Sequence, residues 1–132
     1  MPTLSKHITV AALAVGLAAI GTVANAAPPS GQSCFFISQW QGWKAPSPNV
    51  LYLGVNMHDV YKVELSGGSS QLQRPDVHLI SRVTGSDSVC SALDLQLSVA
   101  DEGGFREPLI ARSLTKLTPE EVAAIPAKYR PN

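Results

Sequence analysis

From Cys34 onward the chain alternates hydrophobic and polar residues in short stretches rather than in the longer, helix-spaced runs of an amphipathic helix. Leu51, Leu53 and Val55 alternate in VLYLGV, and Tyr61, Val63 and Leu65 alternate in DVYKVEL. A two-residue period places every second side chain on one face of a strand. Asn56-Met57-His58 between these runs predicts a hairpin turn. Val77, Leu79, Ser81 and Val83 repeat the pattern weakly, and Leu93, Leu95, Leu97 and Val99 repeat it most cleanly, with Asp94, Gln96 and Ser98 opposite. Phe35 to Gln39 and Leu109 to Leu114 complete a predicted set of about six strands. Gly67-Gly68-Ser69-Ser70, Gly85-Ser86-Asp87 and Asp101-Glu102-Gly103-Gly104 punctuate them as turns. The pattern predicts a mainly β fold, a small antiparallel sandwich or barrel, in a single β-rich domain over 34–132.

A single short C-terminal helix is signalled. Thr118 stands at the N-cap, Pro119 at the first helical position and Glu121 at the third, which completes a capping box. Leu117 and Val122 occupy the two positions of a hydrophobic staple, and Pro126 stops the helix after about two turns.

The N-terminal stretch departs from this β pattern. Met1 to Ala26 combines a short positive region at Lys6, an apolar and small-residue run from Ile8 to Val23, and the A-x-A sequence Ala24-Asn25-Ala26. These are the three parts of a cleavable export signal. The 16-residue run is rich in Ala and Gly and shorter than the roughly 20 apolar residues that span a bilayer. No membrane span is therefore expected after cleavage. No Arg-Arg pair precedes the run and no Cys follows the cleavage point, so the general secretory route without a lipid anchor is predicted. Residues 27–33 (APPSGQS) read as a flexible leader. Lys plus Arg number 10 and so do Asp plus Glu, giving zero formal charge. That balance makes no electrostatic case for nucleic acid, anionic lipid or a polyacidic substrate.

Catalytic and metal motifs are sparse. Ser113-Leu114-Thr115-Lys116 matches S-x-x-K, but the S-D-N and K-T-G elements of that chemistry do not occur, and Ser113 falls in a predicted strand. His58 and His78, with Asp59, Asp76 and Asp87 nearby in sequence, are the only set from which a metal site could be assembled; as solvated turn residues they make a poor one. Trp40 and Trp43 flank Gln41-Gly42. Exposed, they would stack on sugars or grip a hydrophobic partner; buried, they would be core. Asp101, Glu102, Arg106, Arg112 and Lys116 read as solvated surface.

Several segments in a fixed order carry a resemblance: Cys34-Phe35-Phe36, Trp40 to Trp43, Leu51-Tyr52-Leu53, Val60-Tyr61-Lys62-Val63, Gly85-Ser86-Asp87 before Val89-Cys90, and Leu117 to Val122. From Cys34 to about Ile125 the chain resembles domain-of-unknown-function family 6491, small exported proteins of Gram-negative bacteria with no assigned activity. Many members of that family carry four cysteines, the extra two near the positions of Ser70 and Leu109 here. The resemblance thus implies joint loss of one disulfide, leaving Cys34 and Cys90 as the other native pair. The same pairing is expected because these are the only two cysteines and the inferred compartment is oxidising.

The sequence therefore predicts an exported, periplasmic, non-catalytic binding or envelope-associated structural module. It has no cofactor, an unknown envelope partner, and Trp40 and Trp43 as candidate contacts. The alternative is a small hydrolase or metal-dependent enzyme using His58, His78 and nearby Asp residues.

Overall fold

A computed structural model describes residues 33–131. The expected export signal and most of the leader lie outside the described residues. Eight strands form: β1 (Phe35–Phe36), β2 (Trp40–Ser47), β3 (Val50–Val55), β4 (Asp59–Ser66), β5 (Val77–Arg82), β6 (Ser88–Val89), β7 (Gln96–Asp101) and β8 (Arg106–Lys116). The helix α1 (Pro119–Ala124) follows. Six strands make one antiparallel sheet in the order β2-β3-β4-β8-β7-β5, curled into a nearly closed barrel, while β1 and β6 pair separately. Among the described residues no helix is long and apolar enough to cross a membrane.

The strands with one dry and one wet face are those the alternation predicts. Leu51, Leu53 and Val55 of β3, Tyr61, Val63 and Leu65 of β4, and Leu97 and Val99 of β7 all point into the core. The β3–β4 hairpin turns at Asn56–His58, with Asn56 in the left-handed region (φ 51°), where a short polar side chain is tolerated. The predicted cap of α1 also forms: Thr118 N–H donates to Glu121 Oε2 at 2.8 Å, and Glu121 N–H donates to Thr118 Oγ1 at 3.2 Å.

Four expectations are corrected. The first strand stops at Phe36, because Ile37–Gln39 turn as a 3-10 segment. The fifth stops at Arg82, which leaves Val83 outside it. Leu93 is not on a strand but on a 3-10 turn, Ala92–Asp94, and is 90% exposed. Strands β2 and β6 were not predicted at all; β2 carries register shifts at Gln41 and again between Lys44 and Ser47, so its period is broken.

An odd number of antiparallel steps separates β2 from β5, so the start of β2 and the end of β5 lie at the same end of the barrel. There β1, which leads into β2, pairs with β6, which follows β5: Phe35 opposes Val89 and Phe36 opposes Ser88. Ile37 N–H adds a rung by donating to the Asp87 carbonyl at 2.9 Å. Cys34 and Cys90 form a disulfide at the edge of this ribbon. It closes a separation of 56 residues, for which the chain-entropy model gives about 4 kcal/mol. Phe35 and Val89 plug this end of the core, Phe35 packing on the buried Tyr61 ring with centroids 4.7 Å apart. The Tyr61 hydroxyl reaches Ser33 Oγ at 3.2 Å, so its polar tip is not left unsatisfied.

The opposite end is closed by the 3-10 turn Ser70–Gln73, whose Leu72 is buried in the core. Ser69, also buried, donates to Glu107 Oε2 at 2.6 Å, and Gln73 Nε2 donates to the Ala45 carbonyl of β2 at 3.0 Å. The chain reaches this position by lying against the β2–β3 turn, where Leu65 N–H donates to the Asn49 carbonyl and Ser69 N–H to the Pro48 carbonyl, both at 2.8 Å.

Two adjacent glycines in this approach give a discriminating test. Both have positive φ, but a Cβ on Gly67 would meet nothing within 4 Å, whereas one on Gly68 would lie 2.6 Å from the Pro48 carbonyl oxygen and against the Asn49 side chain. Gly67→Ala should cost about 1–2 kcal/mol from backbone strain alone. Gly68→Ala should cost clearly more, since a backbone oxygen cannot swing aside. Equal losses in urea melts of the two variants would contradict the tight approach.

Candidate functional site

Trp40 and Trp43 are three residues apart, a spacing that would put them on opposite faces of a regular strand. The bulge at Gln41 removes that alternation. Trp40 opposes Val55 and Trp43 opposes Leu53, so both tryptophans sit on the inner face at the open edge of the sheet, half-buried against the core. Their roles then diverge. Trp40 is fixed by its own strand, its indole N–H donating to the Gly42 carbonyl at 2.8 Å. Trp43 instead lines a groove of about 390 Å³ in the seam between β2 and β5.

Three separated segments build this groove. Strand β2 supplies Trp43, Lys44 and Ala45; the turn before β5 supplies Leu72 to Pro75; the C-terminal segment supplies Lys128 and Tyr129. The last pair is brought there by α1. Pro126 ends the helical path, Ile125 is buried as an anchor, and the Arg130 guanidinium donates to the Ala123 and Ile125 carbonyls at 3.2 and 2.9 Å. Lys128 Nζ stands 4.6 Å from the centre of the Tyr129 ring, within cation–π range. Arg74 is held in place by Gln71 Oε1 at 2.9 Å, by Asp76 and by Asp101 at 3.6 Å. Its guanidinium, through the hydrogen bond, keeps the Asp76 carboxyl below its ordinary range. The groove thus offers two aromatic rings and three cationic side chains. Such a surface favours a ligand with a flat or ring-shaped apolar face and a negative charge.

The histidines are not brought together. His58 lies exposed in the β3–β4 turn, where its neighbour Asp59 is paired with Lys116 at 3.0 Å. His78 lies exposed on β5, three strands away in the sheet order, beside a separate dent lined by Asp76, Asp101 and Glu102. Asp87 is elsewhere again, its carbonyl serving the β1–β6 ribbon. Among the described residues no three His, Cys, Asp or Glu side chains are placed to hold a metal ion. Nor do Ser113 and Lys116 act together. Ser113 Oγ–H donates to Glu64 Oε2 at 2.8 Å, and the Lys116 ammonium is engaged by Asp59.

Shifted carboxylates among the described residues all move toward the charged form. Glu64 is lowered first by the Ser113 hydrogen bond, then by Lys62 and Arg112. Asp94 is lowered by accepting the N–H groups of Cys90 and Ser91 at 2.9 and 2.8 Å, which fixes the chain beside the disulfide. A general acid requires the reverse shift.

In comparisons with protein-family models, curated proteins and solved structures, nothing matches the chain.

Residues that sequence reading passed over are Lys44, Arg74, Lys128 and Tyr129 in the groove, and Asp94 beside the disulfide. Only Asp94 had a local signal, since S-x-x-D from Ser91 is a capping arrangement.

Removing the Ser113 hydroxyl tests the Glu64 assignment. In Ser113→Ala, the Glu64 carboxyl should titrate closer to its ordinary value of 4.5, as followed by carboxyl NMR. A depressed folded value stabilises fully above the unfolded value and is lost as pH falls through the folded one. The variant should therefore lose its acid-side stability contribution at a higher pH than the parent. An unmoved Glu64 titration would contradict the hydrogen bond's leading role.

Proposed function

We propose that the chain is an exported, non-catalytic binding module of the bacterial envelope, periplasmic after removal of Met1–Ala26. Its seam groove takes an anionic, ring-bearing ligand, and a carboxylated cell-wall saccharide is the class that suits it. The export-signal pattern supports the location, as does the resemblance to family 6491. The Cys34–Cys90 disulfide supports it independently, because bridges of this kind persist in oxidising compartments and are rare in the reducing cytosol.

The observation that carries the ligand class is the convergence of Trp43, Tyr129, Lys44 and Lys128 on one groove. Aromatic faces supply apolar contact to the C–H face of a sugar ring, and flanking ammonium groups supply its charge complement. The groove is open and shallow, so binding of a single saccharide unit is weak and gains from repetition along a polymer.

A single-tryptophan reporter makes this testable. The chain has two tryptophans, so Trp40→Phe leaves Trp43 alone to report on the groove. Titration of this variant with a soluble muramyl peptide should quench or shift its emission saturably. Adding Lys44→Glu and Lys128→Glu should weaken the apparent affinity about tenfold or more, since each reversal turns an attraction into a repulsion. Emission that stays constant to millimolar probe contradicts the reading, as does quenching indifferent to the charge reversals.

A further inference from the structure

The outer face of β5, β7 and β8 carries a second groove, of about 540 Å³, distinct from the seam. Arg82 and Arg106 line it, and no Asp or Glu does. Neither arginine has an ion-pair partner among the described residues. Their places follow from the register. Arg82 opposes Gln96, which opposes Ile110, while Arg106 opposes Ala100 four residues along β7. At strand spacings the two backbones lie about 16 Å apart, at diagonal corners of the face. Ile110 lies across β7 from Arg82, and Leu93 stands on the turn that leads into β7 at the same end; they are 69% and 90% exposed and line the same groove. Next in sequence to the arginines, Val83 and Phe105 are 43% and 41% exposed.

The occupant's chemistry follows from three features. Cations in a groove with no acidic side chain in its lining select a negative partner, and the neighbouring Asp94 carboxylate is turned onto the Cys90 and Ser91 N–H groups. Strands β7 and β8 are paired on both sides, so an added peptide strand could take only the β5 edge at the seam and would not cover this groove. The apolar side chains project from the surface, Leu93 from a turn with almost no neighbour covering it. A projecting apolar group needs a matching hole in a rigid protein, whereas a bilayer accepts it between headgroups at any position. Zero net charge over the whole chain does not oppose this, because attraction to a surface depends on the charge within about a Debye length of it.

We infer that this face docks on an anionic phospholipid surface, with Arg82 and Arg106 on headgroup phosphates and Leu93 and Ile110 inserted between them. The proposal is independent of the ligand assigned to the seam groove. Docking by β5, β7 and β8 would leave that groove, on the other side of the β5 edge, open to solution.

Vesicle co-sedimentation of the full chain tests it, with 3:7 phosphatidylglycerol–phosphatidylethanolamine vesicles against pure phosphatidylcholine. Because the Ile8–Val23 run has its own affinity for lipid, the readout is the difference between variants that share it. Arg82→Ser with Arg106→Ser should weaken binding to the anionic vesicles about 25-fold, roughly fivefold per arginine, and leave phosphatidylcholine binding unchanged. Leu93→Ser with Ile110→Ser should weaken binding to both vesicle types about tenfold or more. All four side chains are exposed, so unchanged melting curves should accompany the losses. Binding by both double variants equal to the parent's would overturn the proposal. So would an arginine double variant whose binding falls equally on both vesicle types, or a parent that binds neither.

Discussion

A six-stranded antiparallel sheet that curls almost into a barrel leaves two unpaired edges facing one another, and in this chain β2 and β5 are those edges. No ladder of hydrogen bonds joins them, so the barrel is held shut from its ends. At one end the β1–β6 ribbon and the Cys34–Cys90 disulfide bridge the seam, with Phe35 and Val89 packed beneath. At the other, the Ser70–Gln73 turn inserts Leu72 and hands a side-chain hydrogen bond to Ala45. Each closure lies where a strand edge would otherwise expose core, which is why Trp40, Trp43, Val77 and Leu79 are only partly buried. The bulges and Pro46 in β2 keep its free edge from offering a regular template to another strand.

The incomplete seam also explains where the candidate site lies. A fully closed small barrel would fill its interior with side chains and leave no groove. Here the gap between β2 and β5 is roofed by the turn before β5 and by the C-terminal segment, whose cations line what remains. The same curvature bends β8, where Arg112 is the extra residue of a bulge opposite β4 and Pro108 sits in the half of β8 that β4 does not reach. The candidate site and the closure thus draw on one geometric fact.

How much of this is legible in the sequence depends on where each residue's partners lie. Strands β3, β4 and β7 are readable because each buries one face and wets the other, so burial imposes the two-residue period. Strand β2 is unreadable because an edge bulge moves Trp43 to the same face as Trp40. Leu93 misleads because the alternation runs on through Ser91–Asp94, where side-chain bonds from Asp94 to the N–H groups of Cys90 and Ser91 win the backbone for a turn. The disulfide is legible from the only two cysteines of the sequence and the oxidising compartment expected of them. The groove is not, since residues near 44, 74 and 128 meet only once the sheet curls. Balanced charge hides the convergence of Arg82 and Arg106 on one groove that no Asp or Glu lines, for the same reason.

Closure from the ends is the central physical claim, and residue-resolved hydrogen exchange with the disulfide intact and reduced tests it most directly. Reduction should accelerate exchange in β1 and β6 and at the adjoining ends of the two edge strands, near Trp40 to Trp43 and Ile80 to Arg82. Amides at the centre of β4, paired on both sides by β3 and β8, should keep most of their protection. A uniform gain in exchange across all strands, or none at the seam, would contradict the account.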